Sequence, residues 1–211
     1  MDGTDTYHHG DLRSALIQTG LELISEKGIS GFTLREVAKR TGVSTAAPYY
    51  HFKDKAELLQ AMSLEGWRML GDRFEVASSA AETASARLRV IGEAYIRFAI
   101  EYTPYFRVMS RPDLYCSQAC DNLQEVTGLT VFEMLRSTIA GCFPGKKNDD
   151  PDLQEMVLHA WVMVHGFSTL WIDGSIRGTS LGELGIEELI SMLFRSGPCM
   201  AHGLDGKVLM Q

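Results

Sequence analysis

Within residues 33–55, Arg35, Lys39, Arg40, Lys53 and Lys55 stand against only Glu36 and Asp54, a local charge of +3 in a chain whose net charge is −7. Solubility does not require such a patch, because Asp and Glu supply charge elsewhere, and a confined cationic face is suited to binding phosphate. Tyr49, Tyr50 and His51, three hydrogen-bonding rings in a row, adjoin the cations, and only some of them can pack inward. Thr45, Ala46 and Ala47 are small enough to let a backbone approach the floor of a DNA major groove.

Two short helices are needed to position these groups. Thr33 is placed to cap a helix whose third position is Glu36, with Leu34, Val37 and Ala38 on one apolar face and Gly42 at its end. Ser44 reads as the N-cap of a second helix, after a turn of only Thr41-Gly42-Val43. Two helices across a short glycine turn form a helix-turn-helix, in which the second helix enters the groove. Pro48 falls at the fourth position of that helix, where it removes only the first intrahelical bond. Upstream, Leu12, Leu16, Leu23 and Ile24 share a helical stripe that Gly28 terminates.

The segments Phe32-Thr33-Leu34-Arg35-Glu36-Val37-Ala38, Gly42-Val43-Ser44, Tyr49-Tyr50-His51-Phe52 and Lys55-Ala56-Glu57-Leu58-Leu59 resemble the N-terminal domain of TetR-family transcriptional regulators over roughly residues 9–60. Pro48 departs from the branched aliphatic residue common there. The resemblance implies an all-α protein with a three-helix DNA-binding head over residues 1–55 and a ligand-binding and dimerisation domain over 56–211. It implies DNA contact by Arg35, Thr45, Ala46, Tyr49, Tyr50, His51 and Lys55. Arg35 and Thr45 are expected at base edges and Ala46 at a thymine methyl, with Tyr49, Tyr50, His51 and Lys55 mainly on phosphates. The implied partners are a palindromic operator in double-stranded DNA, a second copy of the chain, and a small apolar effector.

Beyond residue 60, Leu58, Leu59, Met62, Trp67, Leu70 and Phe74 extend a connecting helix out of the head. Ala77 to Ala86 reads as a loop, and Leu88, Ile91, Tyr95, Phe98 and Tyr102 mark a further helix that Pro104 closes. A short helical turn, Tyr105 to Met109, precedes Pro112, and another helix is expected from about Cys116 to Cys142. Ten methionines and many rings suit either an ordinary core or an adaptable apolar pocket. The residues expected to line such a pocket are Trp67, Tyr95, Phe98, Tyr102, Phe106, Met109, Cys116 and Cys120.

From Leu153 to Ile172 the pattern is apolar on two sides: Leu153, Met156, Val157, Ala160, Trp161, Val164 and Trp171 on one, Leu158, Val162, Thr169 and Ile172 on another. A helix of that kind is buried by its own subunit and by something more, economically a partner subunit. Ile186, Leu189, Ile190, Leu193 and Phe194 suggest a second such helix. The expected dimer interface comprises Leu158, Val162, His165, Gly166, Thr169, Ile186, Leu189, Ile190 and Leu193. Trp161, His165 and Gly166, followed by Leu170, Asp173 and Gly174, also resemble the Trp-His-Gly motif of one C-terminal subgroup of the family, with His165 fitting either a packing role or a ligand contact.

Other chemistries find little support. Cys116 and Cys120 are four apart on an expected helix, but two thiols do not complete a zinc site, so no metal and no cofactor are expected. A thiol-responsive regulator using that pair is one alternative. No nucleophile motif, phosphate loop or carboxylate constellation points to an enzyme; a small-molecule carrier or enzyme retaining the head as a relic is another alternative. The most apolar run, Ala160 to Ile172, is 13 residues long and contains His165, too short to span a bilayer, and Met-Asp-Gly-Thr-Asp at the start lacks the features of a signal peptide. A cytoplasmic protein with reduced cysteines is expected.

Overall fold

In a computed structural model of the chain, the described residues are 9–114, 129–147 and 149–195. They contain α-helices and short 3-10 turns and no strand, as expected for an all-α protein. By packing they divide into two compact units. One draws on Met1–Arg68 and Tyr102–Leu129, the other on Met69–Glu101 and Thr130–Gln211. The packing boundary therefore falls inside the connecting helix, beyond the residue 55 at which the sequence suggests a functional division.

The first unit begins with α1 (His9–Lys27), which buries Leu16, Ile17, Leu21, Leu23 and Ile24 and stops where Gly28 adopts φ 74°. Helix α2 (Leu34–Thr41) starts at Thr33, whose hydroxyl accepts the Glu36 amide at 3.2 Å, and buries Leu34, Val37 and Ala38. Gly42, at φ 79°, ends it by donating its amide to the Lys39 carbonyl, while the Val43 amide reaches back to Ala38 at 3.0 Å. That pair of bonds is a Schellman stop, and the positive φ makes glycine the residue that forms it without strain.

The second element of the motif differs from the expectation. In place of an α-helix capped by Ser44 there is a four-residue 3-10 turn, Ala47–Tyr50, with Pro48 at its second position. Pro48 contributes to this because it lacks an amide. An α-helix starting at Ser44 closes its first ring with the N–H of residue 48, so the Ser44 carbonyl takes the Ala47 amide instead, at 3.0 Å.

Helix α3 (Lys55–Ser78) contributes Leu58, Leu59, Ala61, Met62 and Ser63 to the first core, and Leu70 and Phe74 to the second. Helix α5 (Thr103–Met109), with Pro104 in its first turn, packs on α1 and buries Tyr105, Phe106, Val108 and Met109. Between them runs α4 (Ala84–Glu101), in the second unit, with buried Ile91, Gly92, Tyr95, Ile96, Phe98 and Ala99. The second unit continues with α6 (Leu129–Cys142), α7 (Pro151–Ile172) and α8 (Ile186–Arg195). Asp150 caps α7 by accepting the Asp152 amide at 2.9 Å.

Helices α4 and α7 form the main contact of this unit. Leu153, Val157, Ala160, Val164 and Ser168 of α7 point inward, at the three- and four-residue spacing of one helical face. Gly92 makes room: a Cβ built there lies 2.7 Å from the Phe194 ring. Gly92→Ala should therefore destabilise the second unit by about 1–3 kcal/mol. Thermal unfolding checks this, and an unchanged midpoint would contradict the packing of Phe194 on Gly92.

Candidate nucleic-acid interface

Arg35 and Lys39 project from the solvent side of α2, one turn apart, opposite its buried Leu34, Val37 and Ala38. Ser44, Thr45 and Ala46 are exposed in the turn that follows. Tyr49 is 50% exposed and Tyr50 87%, while Pro48 between them and Ala47 is buried and His51 is partly buried. Large aromatic rings left in water at one edge of a packed head mark a contact surface rather than core. Arg35, Thr45, Ala46, Tyr49 and Tyr50 thus all lie exposed on the helix-turn-helix segment.

Two of the five expected cations are otherwise engaged. Arg40 donates to both Glu26 oxygens, at 2.6 and 2.5 Å, with Glu22 at 3.6 Å. The Arg40 hydrogen bonds hold the Glu26 carboxyl below its usual range. Lys55 donates to the carbonyls of Ile29 and Phe32, at 2.6 and 3.0 Å, and its ammonium lies 4.2 Å from the centre of the Phe32 ring. Desolvation lowers the Lys55 pKa. Two of its three N–H groups therefore tie the start of α3 to the link between α1 and α2, a structural role that spacing alone did not reveal. Glu36 pairs with Lys27. Among the described residues, Arg35, Lys39 and Lys53 are exposed cations outside any ion pair. Lys39 and Lys53 belong to the cationic patch read from sequence but not to the expected DNA contacts, and their exposure on the segment adds them.

The expected pocket residues divide between the units. Trp67, Tyr102, Phe106 and Met109 belong to the first, and Tyr95 and Phe98 to the second. Cys116 and Cys120 lie outside the described residues. The Trp67 indole nitrogen is buried without a hydrogen-bond partner. In the second unit, the Tyr95 hydroxyl and His165 Nδ1 are 2.9 Å apart. Burial pushes the Tyr95 phenol above its ordinary range, opposed by a hydrogen bond from Trp161, and pushes His165 down. A protonated phenol beside a neutral imidazole donates to Nδ1, leaving the ring proton on Nε2.

The expected interface residues also separate. Leu158 and Val162 are 53% and 58% exposed, and His165, Gly166, Thr169, Ile186 and Leu193 are partly exposed. Leu189 and Ile190, at 4% and 3%, are core residues of their own chain, because they lie on the inward face of α8 with Phe194. Trp161, expected inward, is 42% exposed, its ring edge-on to Phe132 at 5.8 Å. Leu170 and Met192 add exposed apolar surface that the spacing did not single out.

Residues 16–62 match the profile of bacterial regulatory proteins of the tetR family. Residues 88–193 match a tetracyclin repressor-like C-terminal domain. The chain belongs to the TetR family. The tetracycline repressor protein class C of Escherichia coli is 47% identical over 51 residues, 24% of this chain and 23% of the repressor. The match thus spans about a quarter of that relative's length. A solved structure of a Rhodococcus sp. RHA1 protein of unknown function superposes with a TM-score of 0.70 at 27% identity, covering 90% of this chain and 97% of the other. The structure of AibR in complex with isovaleryl coenzyme A and operator DNA superposes with a TM-score of 0.67 over 88% of this chain and 98% of the other, at 15% identity, a likeness of fold. The TetR N-terminal profile contains the whole of α2, the glycine turn and the 3-10 turn, so the exposed residues above lie within the matched region.

Two outcomes follow from the geometry. Lys55→Met keeps the aliphatic stem and removes both carbonyl bonds, so it should destabilise the head by about 1–3 kcal/mol; an unchanged unfolding midpoint would contradict the structural role. The fold keeps His165 neutral, so its contribution is complete above the unfolded pKa of about 6.5 and is lost as pH falls through the lower folded value. His165→Gln should flatten the fall in urea midpoint between about pH 7.5 and pH 5. A parental slope in that variant would count against the assignment.

Proposed function

We propose that this TetR-family chain is a ligand-responsive, DNA-binding transcriptional regulator that represses from a palindromic operator as a homodimer and is released by a small effector. The observation that carries the reading is the exposed row of Arg35, Lys39, Thr45, Ala46, Tyr49 and Tyr50 on a glycine-terminated two-element motif in an acidic chain. Residues 1–55 are the DNA-binding part and 56–211 the ligand-binding and dimerising part. Arg35 and Thr45 read base edges and Ala46 meets a thymine methyl; Tyr49, Tyr50 and His51 hold phosphates, joined by Lys39 and Lys53. Lys55 has one N–H left for a phosphate beyond its two carbonyl bonds.

Dimerisation uses the outward face of α7, with Leu158, Val162 and Leu170, beside Met192 of α8. Trp161, His165 and Gly166 fit the Trp-His-Gly subgroup of C-terminal domains. The effector is mainly apolar, drawn to rings within the first unit, Trp67, Tyr102 and Phe106. The unpartnered Trp67 indole N–H favours an effector that carries one hydrogen-bond acceptor, because a buried donor without a partner costs about 1–3 kcal/mol. Helix α3 belongs to both packing units, so an effector that shifts it alters the separation of the two heads. Successive major grooves demand a separation of about 34–36 Å. Each tenfold loss of operator affinity requires about 1.4 kcal/mol of differential effector binding. The absence of any helix long and apolar enough to cross a membrane among the described residues is compatible with a cytoplasmic regulator.

A gel shift with the DNA flanking its own gene tests the reading. A specific complex released by a candidate effector is expected, with Arg35→Ala weakening it by about 1–3 kcal/mol and Thr45→Ala altering base preference. No specific complex with or without effectors would instead support a carrier that keeps the head as a relic.

A further inference from the structure

We propose that Pro48 is a positioning residue for operator specificity: by lacking an amide hydrogen it holds the groove-facing segment as a 3-10 turn and sets the angle between Thr45–Ala46 and Tyr50. The inference rests on the DNA-binding reading. It concerns how this chain presents its side chains rather than whether it binds.

The backbone bonds define the segment. The Ser44 carbonyl accepts the Ala47 amide at 3.0 Å, the Ala46 carbonyl accepts Tyr49 at 3.1 Å, and the Pro48 carbonyl accepts His51 at 3.0 Å. Each of these closures spans three residues; only at the exit does the Pro48 carbonyl also accept the Phe52 amide, four residues on, at 2.9 Å. The four-residue closure that an α-helix needs at its start, from residue 48 to Ser44, has no hydrogen to donate. The proline ring is itself buried in the head, next but three to Phe52, which is 1% exposed. The turn is thus fixed at its middle, while Thr45 and Ala46 at its entry and Tyr50 at its exit stand in solvent.

The angular consequence is large on the scale of base recognition. A 3-10 turn advances about 120° and 2.0 Å per residue, against about 100° and 1.5 Å in an α-helix. Between Ala47 and Tyr50 the difference accumulates to about 60° and about 1.5 Å. Hydrogen bonds to base edges weaken steeply over much smaller displacements. The same residues on an α-helix therefore meet different bases. Arg35 and Lys39 lie on α2, before the turn, so their placement does not depend on its pitch.

Pro48→Ala and Pro48→Leu, each in the full-length chain, restore the amide; the leucine also fills the buried volume. Site selection from a randomised duplex pool, with salt-titrated binding to a non-specific duplex and circular dichroism, reads the effect. Both variants should keep the salt slope of non-specific binding, which the cations outside the turn set. Each should select a different half-site, with affinity for the parental operator falling about tenfold or more relative to the new one. A folded variant that selects the parental half-site with affinity within about twofold overturns the proposal. Loss of folding in both variants also overturns it, because Pro48 would then be a packing residue. A parent that selects no site sinks the DNA-binding reading and the proposal together, whereas the variant results sink the proposal alone.

Discussion

At Gly42 the chain must satisfy the last carbonyls of α2 and leave the helix within two residues, and a left-handed backbone at φ 79° does both. The bonds from Gly42 to Lys39 and from Val43 to Ala38 leave no slack between α2 and the exposed turn that follows. A side chain at position 42 would strain that conformation by about 1 kcal/mol or more. The cationic face of α2 and the aromatic edge of the next turn come from one rigid corner. Their relative placement is a backbone property, and the side chains on either side remain free to serve recognition.

The charge distribution of the head follows the same division. Arg40 and Lys27 are spent on Glu26 and Glu36, and Lys55 on two carbonyls of the α1–α2 link. Exposed ion pairs of this kind contribute little stability individually. They engage Lys27 and Arg40 within the head and, in residues 33–55, leave Arg35, Lys39 and Lys53 as the exposed cations outside any ion pair. The local +3 read from the sequence is therefore a sum over two populations, one holding the head together and one facing solvent. A linear chain does not distinguish them, because the partners Glu22, Glu26 and Lys27 lie a full element away.

Much of the fold was legible because its signals are local. Thr33 as a cap, Gly42 as a stop and the stripes of α1, α3, α4 and α7 each depend on residues within a few positions of one another. The 3-10 turn was not legible as such. Pro48 was visible, but removing one bond from a helix and replacing the helix altogether differ by a balance of small backbone terms that spacing does not weigh. Lys55 is similar: its sequence neighbours are polar, and its partners Ile29 and Phe32 are set by tertiary folding. On α8, Leu189 and Ile190 shared an apolar pattern with the expected interface, yet which side of an amphipathic helix faces its own core is decided by the neighbour it packs on.

Helix α7 carries that last point into energetics. Its inward face is complete, from Leu153 at 1% exposure to Ser168 at 0%. Leu158, Val162 and Leu170 remain at least half exposed on the other side. Fully burying such a side chain contributes about 1.5–3 kcal/mol, so covering the exposed portions contributes roughly 1 kcal/mol each. With both copies of a symmetric dimer counted, the six side chains contribute roughly 6 kcal/mol, comparable to the low end of the cost of association. Trp161 adds to that contribution, because its large ring is 42% exposed. A surface closing over Trp161 buries aromatic area on a ring that lies edge-on to His165, 6.3 Å away, and His165 is paired with Tyr95 of α4 at 2.9 Å. Trp161 is therefore where the exposed face of α7 adjoins the Tyr95–His165 pair inside the second unit.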